Sequence, residues 1–546
     1  RRILEATGVS GGLVVHLGCG DGRLTAALGA GPGYLVHGLA ADARKVVEAR
    51  RNVQSLGLYG RVSIDRLDGK RLPYVDNLVR LVVAGDLGAV PREEVMRVLA
   101  PGGVAYLRTG AEWKKTLKPR PAAIDDWTHF LHDATNNAVS ADSVVGPPRQ
   151  LQWVGSPAWA RSHDHLASVS AAVCAGGRLF YIVDEGPIAA VVLEPKWQLV
   201  ACDAFSGVVL WKRAVPLWQW HLRGFRSGPT DLARRLVAVG DRVYVTLGSD
   251  SPLSALDAAT GETIRTYDGT DHAEEVIFRE GTLLVVAGRS ATEEEKAWRR
   301  GPWPGLVEVR AQRPVYPEVP SPKRILAIDA QSGRILWKKA DAEVAELMPT
   351  TLAAAGHRVF FQNADGLVCL DAASGKRLWH APRPVGRVRP SWSAPTLVVY
   401  QDVVLSADRA GEKSGGDSLT GPEKSMLKAA FGGAKEPGTQ AGGAEKVTWF
   451  VTSGGGQAPV GELIAFSVQD GRRLWSCPCR ECYNAAVDVL VADGLVWSGD
   501  LVSARDPGIT VGRDPRTGEV KRSRPPDQVF FDPGMGHHRC YRNKAT

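Results

Sequence analysis

Long apolar runs are missing from this 546-residue chain. No stretch of 18 consecutive apolar residues occurs, which excludes a transmembrane helix. No CxxCH occurs, so no c-type haem attaches. Methionine is scarce at four residues, and the 12 phenylalanines are outnumbered by 16 tryptophans. An excess of one charge is missing from most of the chain. The net charge is +8, and residues 1–120 carry all of it, with 19 Lys/Arg against 11 Asp/Glu. Those basic residues are scattered, with no stacked aromatics between them. They read as a solvated surface, with no clear nucleic-acid site.

Glycine (60) and proline (34) are plentiful and point to many turns. The length is too great for one core, so two or three domains are expected. The chain starts at Arg1 and stops in RNKAT, which reads as a segment cut at both ends. A missing leader peptide therefore leaves the compartment open.

Residues 1–110 alternate apolar strand patterns with helical ones. LVVHLGCGDGRLTAAL (13–26) is a strand entering a glycine turn and then a helix. YLVHGLAAD, RVSIDRLDG and LVRLVVAGD are further strands, and PREEVMRVLAPGGVAYLR is a helix, a turn and a fifth strand. Such alternation predicts an α/β, doubly wound parallel sheet. A glycine turn after the first strand lets backbone approach a ligand at the carboxyl edge.

The GxGxG turn together with RVLAPGG resembles class I S-adenosylmethionine-dependent methyltransferases, a Rossmann-like family, over residues 1–110. The resemblance implies that Gly18, Gly20, Asp21 and Gly22 lie under the methionine part of S-adenosylmethionine. It implies that Asp68 meets the adenine. The family's ribose acid ends the second strand, where this chain has Gly38-Leu39-Ala40. Asp42 is the expected substitute, and loss of a carboxylate on two ribose hydroxyls weakens binding. No Asn-Pro-Pro-Tyr follows the fourth strand, so no methyl acceptor is suggested.

Residues 111–150 are rich in Pro and polar residues and read as a linker or strap. Trp127 and Phe130 are its expected anchors. His129, His132 and Asp133 are close enough in sequence to be metal ligands or to pack as surface groups.

From residue 151 a repeat appears, apolar-x-Asp-Ala-x-Ser/Thr-Gly-x-x-Leu-Trp. Its copies centre on Gly207, Gly261, Gly333, Gly375, Gly471 and Gly518. A four-stranded propeller blade takes roughly 40–50 residues. The longer gaps hold inserts near 290–322 and 410–446. The Asp caps a turn, the Gly takes a positive φ, and the Trp offers a large face to the next blade. The expectation is an all-β propeller over 151–546, with six blades visible and seven or eight when complete, further ones following Thr546.

This pattern resembles the PQQ-like repeats of quinoprotein dehydrogenases and of non-enzymatic propellers such as the lipoprotein of outer-membrane assembly. Two copies, at 261 and 518, have Arg in place of Trp, and the copy at 471 lacks the Asp. The dehydrogenases bind PQQ and calcium and often wall the quinone with adjacent cysteines. This chain has no adjacent Cys pair.

CPCREC places Cys477, Cys479 and Cys482 together, and HHRC places His537, His538 and Cys540 together. A zinc or other soft-metal site, a disulfide between the clusters, and free thiols are the open readings. Arg161, His163, His165, His537, His538 and Arg539 could line one propeller face and favour an anion or a metal. Segments such as DDWTHFLHDATNNAV resemble large planctomycete-type proteins with a methyltransferase-like domain before a PQQ-like propeller. That resemblance implies an exported, periplasmic or envelope location. The leading functional reading is a binding or scaffold propeller, with a protein or small-molecule ligand on its face, fused to a degenerate S-adenosylmethionine-binding domain. The alternatives are an active methyltransferase using the propeller for substrate recognition, and a PQQ-dependent oxidoreductase.

Overall fold

Strand β1 (Gly12–Leu17) is buried at all six positions, the pattern of a strand covered on both faces. It follows helix α1 (Arg2–Thr7) and leads into α2 (Arg23–Leu28). Then come β2 (Tyr34–Ala40), α3 (Ala43–Ser55), β3 (Val62–Arg66), β4 (Val79–Ala84), α4 (Arg92–Val98), β5 (Leu99–Thr109) and β6 (Glu112–Leu117). The computed structural model describes residues 2–29, 31–144, 151–155, 169–187, 193–218, 232–289, 322–386, 388–390, 394–409, 448–450, 460–480, 486–498 and 511–523.

The sheet order is β3-β2-β1-β4-β5-β6. The first five strands are parallel and β6 runs antiparallel to β5. Order reverses between β1 and β4, the usual place for a ligand in such sheets. β6 lies in the segment read as linker. Its EWKKTL carries charges on an exposed edge, which discourages further strand pairing and hides the strand from an apolar pattern.

Six four-stranded antiparallel sheets follow among the described residues. Their first strands are Val169–Ala175, Leu236–Val239, Ala273–Arg279, Ala353–Ala355, Thr396–Tyr400 and Val489–Ala492. Successive first strands touch one another, so these strands line a common axis. We number these sheets blades one to six. Each first strand turns into the second through two residues: 176–177, 240–241, 280–281, 356–357, 401–402 and 493–494. The third-to-fourth turns, five or six residues each, lie on the same end. Every longer connection, including both inserts, therefore leaves from the opposite end. The propeller has one tight-turn face and one long-loop face.

The repeat motif makes the tight turns and welds blades together. Asp371 Oδ1 accepts from Ser374 N and Oγ, and Gly375 sits at φ 68°. The ring of Trp337, one blade earlier, covers Gly375, where a Cβ would lie 2.5 Å from the ring. Its Nε1 donates to Ala372 O at 2.8 Å. The same pair of contacts joins Trp153 to Gly207, Trp211 to Gly261, Trp379 to Gly471 and Trp475 to Gly518. Where Arg265 replaces Trp, its guanidinium covers Gly333 and Tyr267 Oη donates to Ala330 O instead.

Blade one also packs on the α/β domain. Leu210 lies against Gly11 and Gly33, where a Cβ on Gly33 would come within 2.8 Å of Leu210 O. Val208 packs under Leu13 and its neighbours. Gln152 Nε2 donates to Asn77 O and to Phe205 O, and Arg80 faces Asp203 at 3.9 Å. Gly11, Gly33 and Arg80 lie at the amino ends of β1, β2 and β4. The propeller is docked on the edge of the sheet opposite the carboxyl edge.

Candidate functional sites

The carboxyl end of β1 runs into Gly18-Cys19-Gly20-Asp21-Gly22. Gly18, Gly20 and Gly22 have φ of 68°, 57° and 80°, a path that only glycine follows without strain. Gly18 N and Cys19 N both donate to Leu39 O, tying the loop to β2. Gly22 abuts Ala49, and a side chain there would collide with α3. Gly20 has open space beside it. Asn52 Nδ2 donates to Asp21 O at 2.7 Å and fixes the loop from α3. Asp21 Oδ1 accepts from Arg23 N. The sequence pattern missed Asn52, whose only signal is a polar residue on the inner side of an amphipathic helix.

The ribose end is different. Ala40 closes β2 and is buried. Asp42 is the N-cap of α3, its Oδ1 taken by Arg44 N at 2.8 Å. Asp68 is exposed and pairs with Arg66 Nε at 2.9 Å, and the same Nε donates to Ala41 O. A network unseen in the sequence joins β2 to β3: His37 bridges Tyr74 Oη and Asp65, which also holds Arg50. The loop suits the methionine half of S-adenosylmethionine. The end of β2, with Ala40 in place of a carboxylate, does not suit its ribose. His16, buried on β1, bonds Thr25 Oγ1 and is pushed down to about 4 by burial, so it stays neutral.

The cysteine cluster resolves in part. Cys477 and Cys479 are alternate residues of one strand, both buried in the apolar core between blades five and six. The Cys479 thiol donates to Asp408 O and burial pushes it up to about 12, a protonated thiol and a poor metal ligand. No cluster of three metal-binding side chains occurs among the described residues. Cys482, His537, His538 and Cys540 lie outside them, as do Arg161, His163, His165 and Arg539.

The strap occupies the propeller axis. Phe130 packs in the core of blades one and two, and Trp127 pairs with Cys174, so both are anchors as expected. His129 accepts from Phe278 N at its Nε2 and bonds Thr128 Oγ1 at its Nδ1. Burial, with Arg234 nearby, pushes it down to about 3. His132 Nε2 bonds Asp125 at 2.6 Å, and its Nδ1 is 3.7 Å from Asp133. Both histidines are committed to hydrogen bonds, which leaves the metal reading of this trio without support among the described residues. Asn136, 2% exposed, receives Arg234 Nη1 at its oxygen. Arg234 (6%) faces Glu275 (1%) at 3.7 Å. Burial raises the Glu275 carboxyl, which accepts from Thr350 N and Leu352 N.

Comparison with known proteins finds two separate matches along the chain. Residues 14–103 match the family profile of a methyltransferase domain, and residues 285–436 match that of the outer membrane protein assembly factor BamB. The chain joins a methyltransferase-fold domain to a PQQ-like repeat propeller. The methyltransferase GfsG of Streptomyces halstedii is 36% identical over 110 residues, covering 19% of this chain and 39% of that protein. The chain thus spans about two fifths of that curated relative. BamB of Moraxella catarrhalis covers 64% of this chain and 75% of its own, at 14% identity and a TM-score of 0.32. A putative S-adenosylmethionine-dependent methyltransferase of Methanococcus maripaludis covers 19% of this chain and 51% of its own, at 24% identity and a TM-score of 0.19.

Proposed function

We propose that this chain is a binding scaffold. Its propeller recognises a protein or small-molecule partner on the long-loop face, and its methyltransferase-fold domain is a degenerate S-adenosylmethionine site. The observation that carries this reading is the docking of blade one on the amino edge of the parallel sheet, through Leu210 against Gly11 and Gly33. A propeller that delivered a methyl acceptor would have to reach the carboxyl edge, beside Gly20. Loops on one face of a rigid scaffold are where recognition concentrates. A quinone reading is disfavoured because Thr128, His129 and Asn136 fill the axis, and the nearby carboxylate Glu275 is held by Arg234 and backbone amides. The BamB profile supports an exported, envelope location.

Titration calorimetry with S-adenosylmethionine tests the degenerate site. Dissociation constants on the order of 1 mM are expected for the native chain. Ala40→Asp restores a carboxylate at the end of β2 and is expected to tighten binding roughly 10- to 100-fold. A native constant of about 10 μM or below overturns the degenerate reading.

A further inference from the structure

The innermost strand of a propeller blade has no neighbour on its axial side. Its outward N–H and C=O groups need partners if they are buried. Here the partners come from one segment, in order. Cys174 N, in blade one, donates to Trp127 O at 2.7 Å. Ala238 N, in blade two, donates to Thr128 O at 2.9 Å. Phe278 N, in blade three, donates to His129 Nε2 at 3.0 Å. Ala354 N, in blade four, donates to Ala134 O at 2.7 Å. Val399 N, in blade five, donates to Thr135 O at 2.9 Å. Val491 N, in blade six, donates to Asn137 Oδ1 at 2.8 Å, and Asn137 Nδ2 returns a bond to Val491 O. Asn136 Nδ2 bridges Leu352 O and Leu397 O across blades four and five.

Both legs of the segment lie together. Asp125 accepts from Ala141 N, Ser140 Oγ and His132 Nε2, and Ser143 N donates to Ala123 O. Gly176, in the first tight turn, donates to Asp126. The segment enters from the tight-turn face, reaches Arg234 near the long-loop end, and returns.

We propose that the propeller axis is a peptide-binding site, one backbone amide per blade, filled in this chain by its own residues 125–141. The ligand class is an extended peptide carrying Asn and small polar residues. The chain supplies it in cis, and the same segment binds in trans once the resident copy is loosened. This proposal does not rest on the scaffold reading, because it concerns the axis and not the long-loop face.

The full-length Asn136→Ala/Asn137→Ala double variant tests it, with a fluorescein-labelled peptide of residues 124–142 as the probe. Anisotropy should show no binding to the native chain at about 10 μM peptide and saturable binding to the variant. The variant's melting temperature should fall by on the order of 5 °C and recover with peptide. A folded variant that does not bind the peptide overturns the proposal, as does equal binding to the native chain. If the variant fails to fold, hydrogen exchange of the native chain decides. The amides of Cys174, Ala238, Phe278, Ala354, Val399 and Val491 should exchange through one shared opening. Exchange at rates more than about tenfold apart for these six sinks the idea.

Discussion

At the carboxyl edge of the parallel sheet, open space flanks Gly20, whereas the propeller axis is filled by the chain's own residues 127–137. Both are places where their architectures bind ligands. In the first, positive-φ glycines bring the backbone to the surface. In the second, six axial amides, one per blade, are each satisfied from within the molecule. The contrast teaches that a ligand position is defined by which polar groups are left over after folding. The α/β domain leaves a glycine loop, with Ala40 and no carboxylate at the end of β2. Among the described residues, the propeller pairs one axial amide of each blade with residues 127–137.

The largest expected effect tests how firmly the propeller is welded. Trp379→Ala removes a buried ring from Gly471 and the bond to Val468 O, and should cost about 3–5 kcal/mol in thermal or denaturant unfolding. An unchanged propeller transition contradicts the docking role. Acid separates the regions next. His129 and His16 are held near 3 and 4, below the ordinary 6.5, so both are neutral when folded. Unfolded chains take up a proton below about pH 6.5. Stability is therefore complete above that pH and drains as pH falls, at up to about 1.4 kcal/mol per unit for each group. The loss should continue through about pH 4 for the α/β domain and about pH 3 for the propeller. His129→Gln should flatten the propeller's slope alone, as read by unfolding at each pH. Leu210→Asp places a carboxylate against Gly11 and should cost about 2–3 kcal/mol, splitting one unfolding transition into two. The smallest effect is Arg265→Trp, which restores the usual cover over Gly333 and should stabilise by at most about 1 kcal/mol.

Legibility in the sequence followed contact range. The turns were readable because Asp371, Ser374 and Gly375 act within five residues, and Trp337 recurs at a fixed offset from its own Gly. The parallel sheet was readable from β1, apolar except for His16, and the glycine turn after it. β6 was not, because an edge strand with Lys114 and Lys115 has no apolar alternation. The axial role of the strap was hidden because Asn137 meets Val491, 354 residues away. Its one trace was a linker richer in Asn, His and Trp than solvent exposure requires. The metal reading of Cys477 and Cys479 overlooked period two: alternate strand residues share a face, and here that face is core. Docking of the two regions left a trace in Gly11, Gly12 and Gly33, at the amino ends of β1 and β2 where no ligand turn is needed.

The order of the axial contacts has a consequence for biosynthesis. A ribosome releases residues 127–137 before residue 169, the start of blade one. Each blade therefore emerges after the residues it must meet on the axis, and in the same succession. Blade one meets Trp127, and blade six meets Asn137 after the other five are made. The long-range pairings that slow β-rich chains become a series of single captures on a strand already waiting outside the exit tunnel. The segment works as a spindle on which the wheel is assembled spoke by spoke.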